Sequence, residues 1–217
     1  MWQLLLEQVI EHVGCMSLKD SQELARHADE IRADGIAVIS PSFIKPATAD
    51  TLRMFLQEVA SAAPVVPFYY YHIPAVTGVN LLSRDVLEGI EKQIPSFQGL
   101  KFSGSALMDF GQCVSNSPSH WSLLYQLLGD LAMSGNGAVG STYNYQGSGV
   151  NRLLSAFDKG DLPKARTLQF QVQYTLWLDL PVNKQLMSEV SGLSLGPPLC
   201  PCCPVPRDSS RSGLDSQ

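Results

Sequence analysis

The sequence predicts an α/β fold built on a parallel sheet, and three observations carry that expectation. Between about residue 8 and residue 180, short apolar runs rich in Val, Ile and aromatic residues alternate with segments of helical period. Helical segments stand between successive strand-like runs, so consecutive strands must run parallel. The 217 residues are 45% hydrophobic and 16% charged, a composition suited to a globular domain with a sizeable core. A parallel sheet is covered on both faces or closed into a barrel. An open doubly wound sheet and a (β/α)8 barrel both satisfy the pattern, although the phosphate-binding glycine fingerprint of a dinucleotide fold is absent.

The first strand-like run covers residues 8–13. A helix follows over 17–33, where Leu24, Ala28 and Ile31 share one face. The second run, 35–40, leads to the clearest helix: Leu52, Phe55, Leu56, Val59, Ala60 and Ala63 form one apolar stripe, with Thr48 or Asp50 placed to cap its start. The third run is 65–71, and Leu87, Ile90 and Ile94 then predict a helix over 83–94. Runs at 97–103, 121–125 and 137–142 complete a set of six, and a last helical region covers 167–190. Residues 1–190 are expected to form one domain. After that the chain reads Gly196-Pro197-Pro198-Leu199-Cys200-Pro201-Cys202-Cys203-Pro204 and continues in Ser, Asp and Arg, which predicts a disordered tail over 191–217.

The charge balance, 15 Lys plus Arg against 20 Asp plus Glu, leaves a net charge of -5 and no basic run, which argues against nucleic acid or an anionic membrane as partner. No apolar stretch approaches the roughly 18–20 residues that span a bilayer, and residues 1–7 lack a basic n-region and a cleavage site, so no signal peptide is expected. Cys15 and Cys113 stand alone and three cysteines crowd the tail, which predicts reduced thiols and a cytoplasmic protein. Cys200 and Cys203 have the spacing of half a zinc site, but an isolated pair supplies too few of the four ligands, so no metal is expected.

Two strand ends carry groups with chemical potential. Phe68-Tyr69-Tyr70-Tyr71-His72-Ile73-Pro74 ends one run with three tyrosines, and Gln98-Gly99-Leu100-Lys101-Phe102-Ser103 places a lysine in the next. In a parallel barrel the catalytic groups project from the C-terminal ends of the strands. Adjacent strands lie roughly 4.7–4.9 Å apart, so a tyrosine and a lysine on neighbouring strands can share a pocket. A lysine stripped of water has a lowered pKa, and its neutral amine can attack a carbonyl to form a Schiff base while a tyrosine hydroxyl moves protons. A strand lysine equally suits a sheet edge, and tyrosine clusters equally suit a core, so residue pattern alone leaves both readings open.

The strings PFYYYHIPAVTGV, FQGLKFS, LMDFGQCV and GAVGSTYNY, in this order and spacing, resemble the animal-type N-acetylneuraminate lyases, class I aldolases of the pyruvate-dependent lyase family. The resemblance runs from about residue 8 to residue 160, with a weaker echo in SGLSLGPP. It implies a (β/α)8 TIM barrel and a homotetramer that cleaves N-acetylneuraminate reversibly to N-acetylmannosamine and pyruvate, without metal or diffusible cofactor. Lys101 matches the Schiff-base lysine and Tyr71 the proton-transferring tyrosine, while Ser103 and Ser141 match substrate-binding positions. The GSTYN string at 140–144 favours the sialic acid branch over the dihydrodipicolinate synthase branch.

Against that family two stretches have no counterpart. The six runs correspond to barrel strands three to eight, which leaves strands one and two unmatched together with the Gly-Thr-Thr-Gly-Glu motif that holds the substrate carboxylate. Tyr125 runs straight into Gln126-Leu127-Leu128, where the family places a Gly-x-Asp-Glu stretch that binds the sugar hydroxyls. Asp130, close by, reads as an ordinary helix position. The expectation is therefore an incomplete barrel whose unpaired strand edges favour self-association. Its alternatives are a non-catalytic truncated or splice-variant homologue and a Schiff-base aldolase for another 2-oxo acid.

Overall fold

Five strands form one parallel sheet in chain order: β1 (Ile10–His12), β2 (Gly35–Ile39), β3 (Phe68–His72), β4 (Phe97–Phe102) and β5 (Ser122–Leu124). The computed structural model describes residues 8–125, 127–174 and 180–196. The chain divides into two compact units, Met1–Ala138 and Val139–Gln217.

In the first unit, the strands are joined by the helices that the apolar stripes predict. Helix α1 (Leu18–Glu30) starts at Ser17, whose hydroxyl accepts from the Asp20 N–H, and α2 (Ala49–Ala60) starts at Thr48, whose hydroxyl accepts from the Thr51 N–H at 3.2 Å. Of the two cap candidates for α2, Thr48 takes the position. After β3 come α3 (Pro74–Thr77), α4 (Ser83–Leu87) and α5 (Ile90–Gln93), then α6 (Leu107–Asn116) after β4 and α7 (Leu127–Ala132) after β5. The expected helix over 83–94 is broken because Gly89 adopts φ 68°, a left-handed conformation that ends one helix and starts another.

Strand alternation decides what each face of the sheet meets. Ile36, Val38, Phe68, Tyr70, Leu100 and Phe102 are buried in one hydrophobic core with Leu52, Leu56 and Val59 of α2, Val86 of α4, Ile90 of α5 and Phe110 of α6. Burying side chains of this size contributes about 1.5–3 kcal/mol each, enough to fix which face of every strand turns towards the helices. The alternate residues, Ala37, Ile39, Tyr69, Tyr71 and Lys101, are half-buried on the opposite face.

The sixth expected strand, over 137–142, does not form. Only Gly137 bridges to β5, through Leu124, and two backbone hydrogen bonds accompany it, from Asn136 N to Leu123 O and from Tyr125 N to Gly137 O. The run Gly137-Ala138-Val139-Gly140 has two glycines and few side chains to pack on a pleated surface, so nothing extends the ladder.

The second unit is helical: α8 (Tyr143–Asp158), α9 (Leu162–Tyr174) and α10 (Leu180–Ser191). The helical region expected over 167–190 corresponds to parts of α9 and α10, and residues 175–179 between them lie outside the described residues. Helix α8 is kinked at Gln146 and packs along α9, and the Tyr145 hydroxyl donates to Asn183 Oδ1 at 2.5 Å, tying α8 to α10. From residue 197 onward the expected tail, with Cys200 and Cys203, lies outside the described residues.

Candidate active site

One irregularity of the sheet sets the site. Phe68 pairs with Phe97, but the register then shifts so that Tyr69 pairs with Gly99, Tyr71 with Lys101 and His72 with Phe102. The extra residue on β4 is Gln98. Without this bulge Tyr71 would face Leu100, and Lys101 would turn the other way, because a one-residue slip moves a side chain across the sheet. With it, Ile39, Tyr71, Lys101 and Leu124 form one row of register partners across β2 to β5. The Lys101 Nζ stands 4.0 Å from the centroid of the Tyr71 ring, a cation–π distance. Of the tyrosines on β3, Tyr71 is the one that the register brings beside the lysine of the neighbouring strand.

Gly99 explains how β5 comes so close to this row. A Cβ at that position would overlap the backbone carbonyl of Ser122, so the approach of β5 to β4 requires a residue without a side chain.

The three tyrosines of β3 are distinguished by direction. Tyr70 points into the core, where its hydroxyl hydrogen-bonds the Ser40 hydroxyl at 2.9 Å and His72 Nδ1 at 3.1 Å. Burial pushes its phenol well above the ordinary tyrosine range, so Tyr70 serves as a structural link. His72 is also buried, and burial holds it below its usual value despite the opposing pull of Asp109. Asp109, itself buried in α6, accepts from the Ser83 and Arg84 N–H groups at 2.7 and 3.1 Å and so anchors the start of α4. The Ser40–Tyr70–His72 hydrogen bonds tie the end of β3 to the residue after β2 from the core side. Tyr69 and Tyr71 face the other way, and Tyr71 is the one opposite Lys101.

Ser103 follows β4 directly. Its N–H donates to His72 O at 2.7 Å and continues the ladder, while its hydroxyl has no hydrogen-bond partner among the described residues. Ser141 belongs to the second unit, where it is exposed just ahead of α8. Its carbonyl accepts from Asn144 N and, at 3.0 Å, from Asn144 Nδ2.

Two groups were not visible as site or structural elements in the sequence. His12, at the end of β1, lies with its ring 6.3 Å from the Tyr71 ring and nearly perpendicular to it. Its pKa is lowered by partial desolvation and then by the Lys101 charge. Strand pairing sets it in register with Ala37 and Tyr69, one step short of this row, and its ring reaches Tyr71 diagonally, a relation no periodicity reveals. Asp130 does lie in a helix, α7, but it is not an ordinary helix position: it is fully buried, and its Oδ2 accepts from the Gly137 N–H at 3.0 Å. Burial raises its pKa to about 6, against the opposing effect of backbone N–H groups of Gly137 and Tyr125. Among the described residues there is no cluster of three or more His, Cys, Asp or Glu that could hold a metal ion.

A parallel sheet with helices between its strands, and a lysine set beside a tyrosine on one face, place the protein in the α/β class. The chain belongs to the dihydrodipicolinate synthetase family, whose sequence profile matches residues 7–192. Within it the similarity is to lyases of sialic acid. The chain is 58% identical to the N-acetylneuraminate lyase of Danio rerio over 212 residues, which covers 93% of this chain and 69% of that protein. With the N-acetylneuraminate lyase of Homo sapiens it shares 50% over 225 residues, 97% of this chain and 70% of the relative. The solved structure of Proteus mirabilis N-acetylneuraminate lyase superposes with a TM-score of 0.87 at 27% identity, over 96% of this chain and 73% of that one. The sialic acid aldolase of Aliivibrio salmonicida gives 0.86 at 30% identity, over 96% and 72%. The architecture is accordingly that of an incomplete (β/α)8 barrel, and this chain spans about 70% of the relatives' length.

Proposed function

We propose that this chain is a class I aldolase that cleaves N-acetylneuraminate to N-acetylmannosamine and pyruvate, reversibly, through a Schiff base on Lys101. The observation that carries the reading is the register pairing of Tyr71 with Lys101, which sets a proton carrier beside an amine on one face of the sheet.

The chemistry can be followed atom by atom with these two residues. The neutral amine of Lys101 adds to the C2 ketone of the open-chain sugar acid, giving a carbinolamine. Its hydroxyl leaves as water, taking the Tyr71 proton, and leaves an iminium beside a phenolate. The phenolate takes the proton of the C4 hydroxyl as the C3–C4 bond breaks, and the bonding electrons move through C2 to the iminium nitrogen. N-acetylmannosamine departs and a neutral enamine remains. Tyr71 returns its proton to C3, water adds to the resulting iminium, and pyruvate is released. The Ser103 hydroxyl, just past β4, is a substrate contact on this reading, and the resemblance assigns the same role to Ser141.

A second reading has one observation in its favour. Where the family carries Gly-x-Asp-Glu, Tyr125 continues directly into α7, and its ring packs against Phe102 and Phe110. A chain lacking those sugar-binding carboxylates would retain the Schiff base and act on a smaller 2-oxo acid, or bind it without turnover. Measuring pyruvate and N-acetylmannosamine released from N-acetylneuraminate by the wild type, Lys101→Ala and Tyr71→Phe decides between them. Release that both variants abolish supports the lyase. No release from a folded wild type that still forms an imine with pyruvate supports the second reading.

Self-association belongs to the same proposal. Met16, Phe43, Ile44, Val76 and Met108 are exposed apolar side chains in the segments that follow β1, β2, β3 and β4. Apolar side chains gathered at one end of a sheet favour burial against another chain, and a homotetramer is the assembly proposed. A cytoplasmic location fits the unpaired Cys15 and Cys113. No helix among the described residues is long and apolar enough to cross a membrane.

A further inference from the structure

The geometry points to His12 as the residue that positions Tyr71 for proton transfer. This inference rests on the Schiff-base reading of Lys101 and Tyr71. Strands β1 and β3 are not neighbours, since β2 lies between them, and two strand spacings are roughly 9.5 Å. The His12 ring covers that distance on a diagonal, since its register partner on β2 is Ala37, whose small side chain leaves the face open, and the partner of Ala37 on β3 is Tyr69, two residues before Tyr71. The imidazole thereby meets the Tyr71 ring across β2, at 6.3 Å between centroids and 88° between planes, an edge-to-face arrangement of the kind aromatic rings prefer.

His12 itself is exposed, and a near neighbour gives its ring room. Two residues on, Gly14 leaves it space: a Cβ there would come within 3.1 Å of His12 Cε1 and within 2.8 Å of the Ile39 backbone nitrogen. The ring of Tyr71 is therefore held by two contacts of different kinds, the perpendicular imidazole of His12 and the Lys101 ammonium over its face. The lowered pKa of His12 keeps its imidazole neutral near pH 7. Holding the ring fixes where its hydroxyl points. Imine formation depends on Lys101, whereas proton transfer at C3 and C4 depends on where that hydroxyl lies.

The two steps can be read separately without the sugar. Borohydride trapping with pyruvate reads the imine. Exchange of the pyruvate methyl protons in D2O reads proton transfer, because each exchange breaks a C3–H bond of the iminium, passes the proton to a carrier and returns a deuteron to the enamine. For His12→Ala we expect trapping within about twofold of wild type but exchange slower by about tenfold or more, since a small misplacement of a reacting group carries a penalty of that order. For His12→Phe, which restores a perpendicular ring, exchange should return to within about threefold of wild type. Parallel loss of trapping and exchange in His12→Ala, or failure of His12→Phe to recover exchange relative to it, would show a merely structural role and overturn the inference. Wild-type exchange rates in His12→Ala would overturn it too. If the wild type forms no adduct at all, the Schiff-base reading fails and this inference with it, whereas adducts in every variant with unchanged exchange overturn this inference alone.

Discussion

Replacing Asp130 with asparagine should make the protein more stable at neutral pH and leave it no more stable in acid. The carboxylate is fully buried in α7, its Oδ2 accepts one hydrogen bond from Gly137 N, and its Oδ1 has no partner among the described residues. Its pKa is raised from 3.8 to about 6, so the folded state favours the protonated form. The stability contributed by that preference is complete below pH 3.8 and is lost as the pH rises through 6. A shift of about two units corresponds to about 3 kcal/mol of penalty for the ionised group at pH 7.5. Asparagine keeps the acceptor for Gly137 and removes the charge, but its amide has no acceptor where Oδ1 now sits, which costs about 1 kcal/mol. The net gain is about 2 kcal/mol, or roughly 4–8 °C in Tm for a chain of this length. Thermal or urea melts of both proteins at pH 7.5 and pH 4 measure it, and taking the difference between them at each pH cancels the other titrating groups. An advantage of equal size at both pH values, or a less stable variant at pH 7.5, would refute the assignment.

Other substitutions probe the sheet and its two faces. Gly99→Ala should destabilise the protein by about 3 kcal/mol or more and lower its yield, because β5 must withdraw from β4 to admit the methyl group; an unchanged melt would contradict the close approach. Tyr70→Phe and Tyr71→Phe should separate cleanly. The first leaves Ser40 and His72 without their shared partner and should cost about 1–3 kcal/mol while imine trapping persists; the second should change stability little and slow proton transfer by about 10²–10⁴-fold. His72 is held below pH 6.5 by burial, so its contribution to stability is present above that pH and lost as the pH falls through its folded value. His72→Gln should weaken that acid sensitivity in pH-dependent melts.

The elements that were legible in the sequence are those whose physics is local. The stripe from Leu52 to Ala63 predicts α2 and the cap at Thr48 because burial every third and fourth residue is a property of one helix. The alternation in β3 was hidden by three consecutive tyrosines, and only pairing with β4 separates the core-facing Tyr70 from the outward Tyr71. Residue pattern leaves the roles of Lys101 and Tyr71 open and resemblance singles them out, since their juxtaposition depends on a single extra residue at Gln98. His12 and Asp130 were missed for a related reason. One acts across an intervening strand and the other through a turn at Gly137, and neither relation leaves a periodic trace. The run at 137–142 predicts a strand that does not form, because apolar content alone does not make a strand where glycines leave nothing to pack.

The central claim is that Lys101 forms an imine with a 2-oxo acid. Incubating the protein with saturating pyruvate, reducing with borohydride and mapping the product by mass spectrometry tests it directly. The account predicts one reduced pyruvate on the peptide containing Lys101, absent from Lys101→Ala. A folded wild-type protein that carries no adduct, or one that carries it on another lysine, would contradict it.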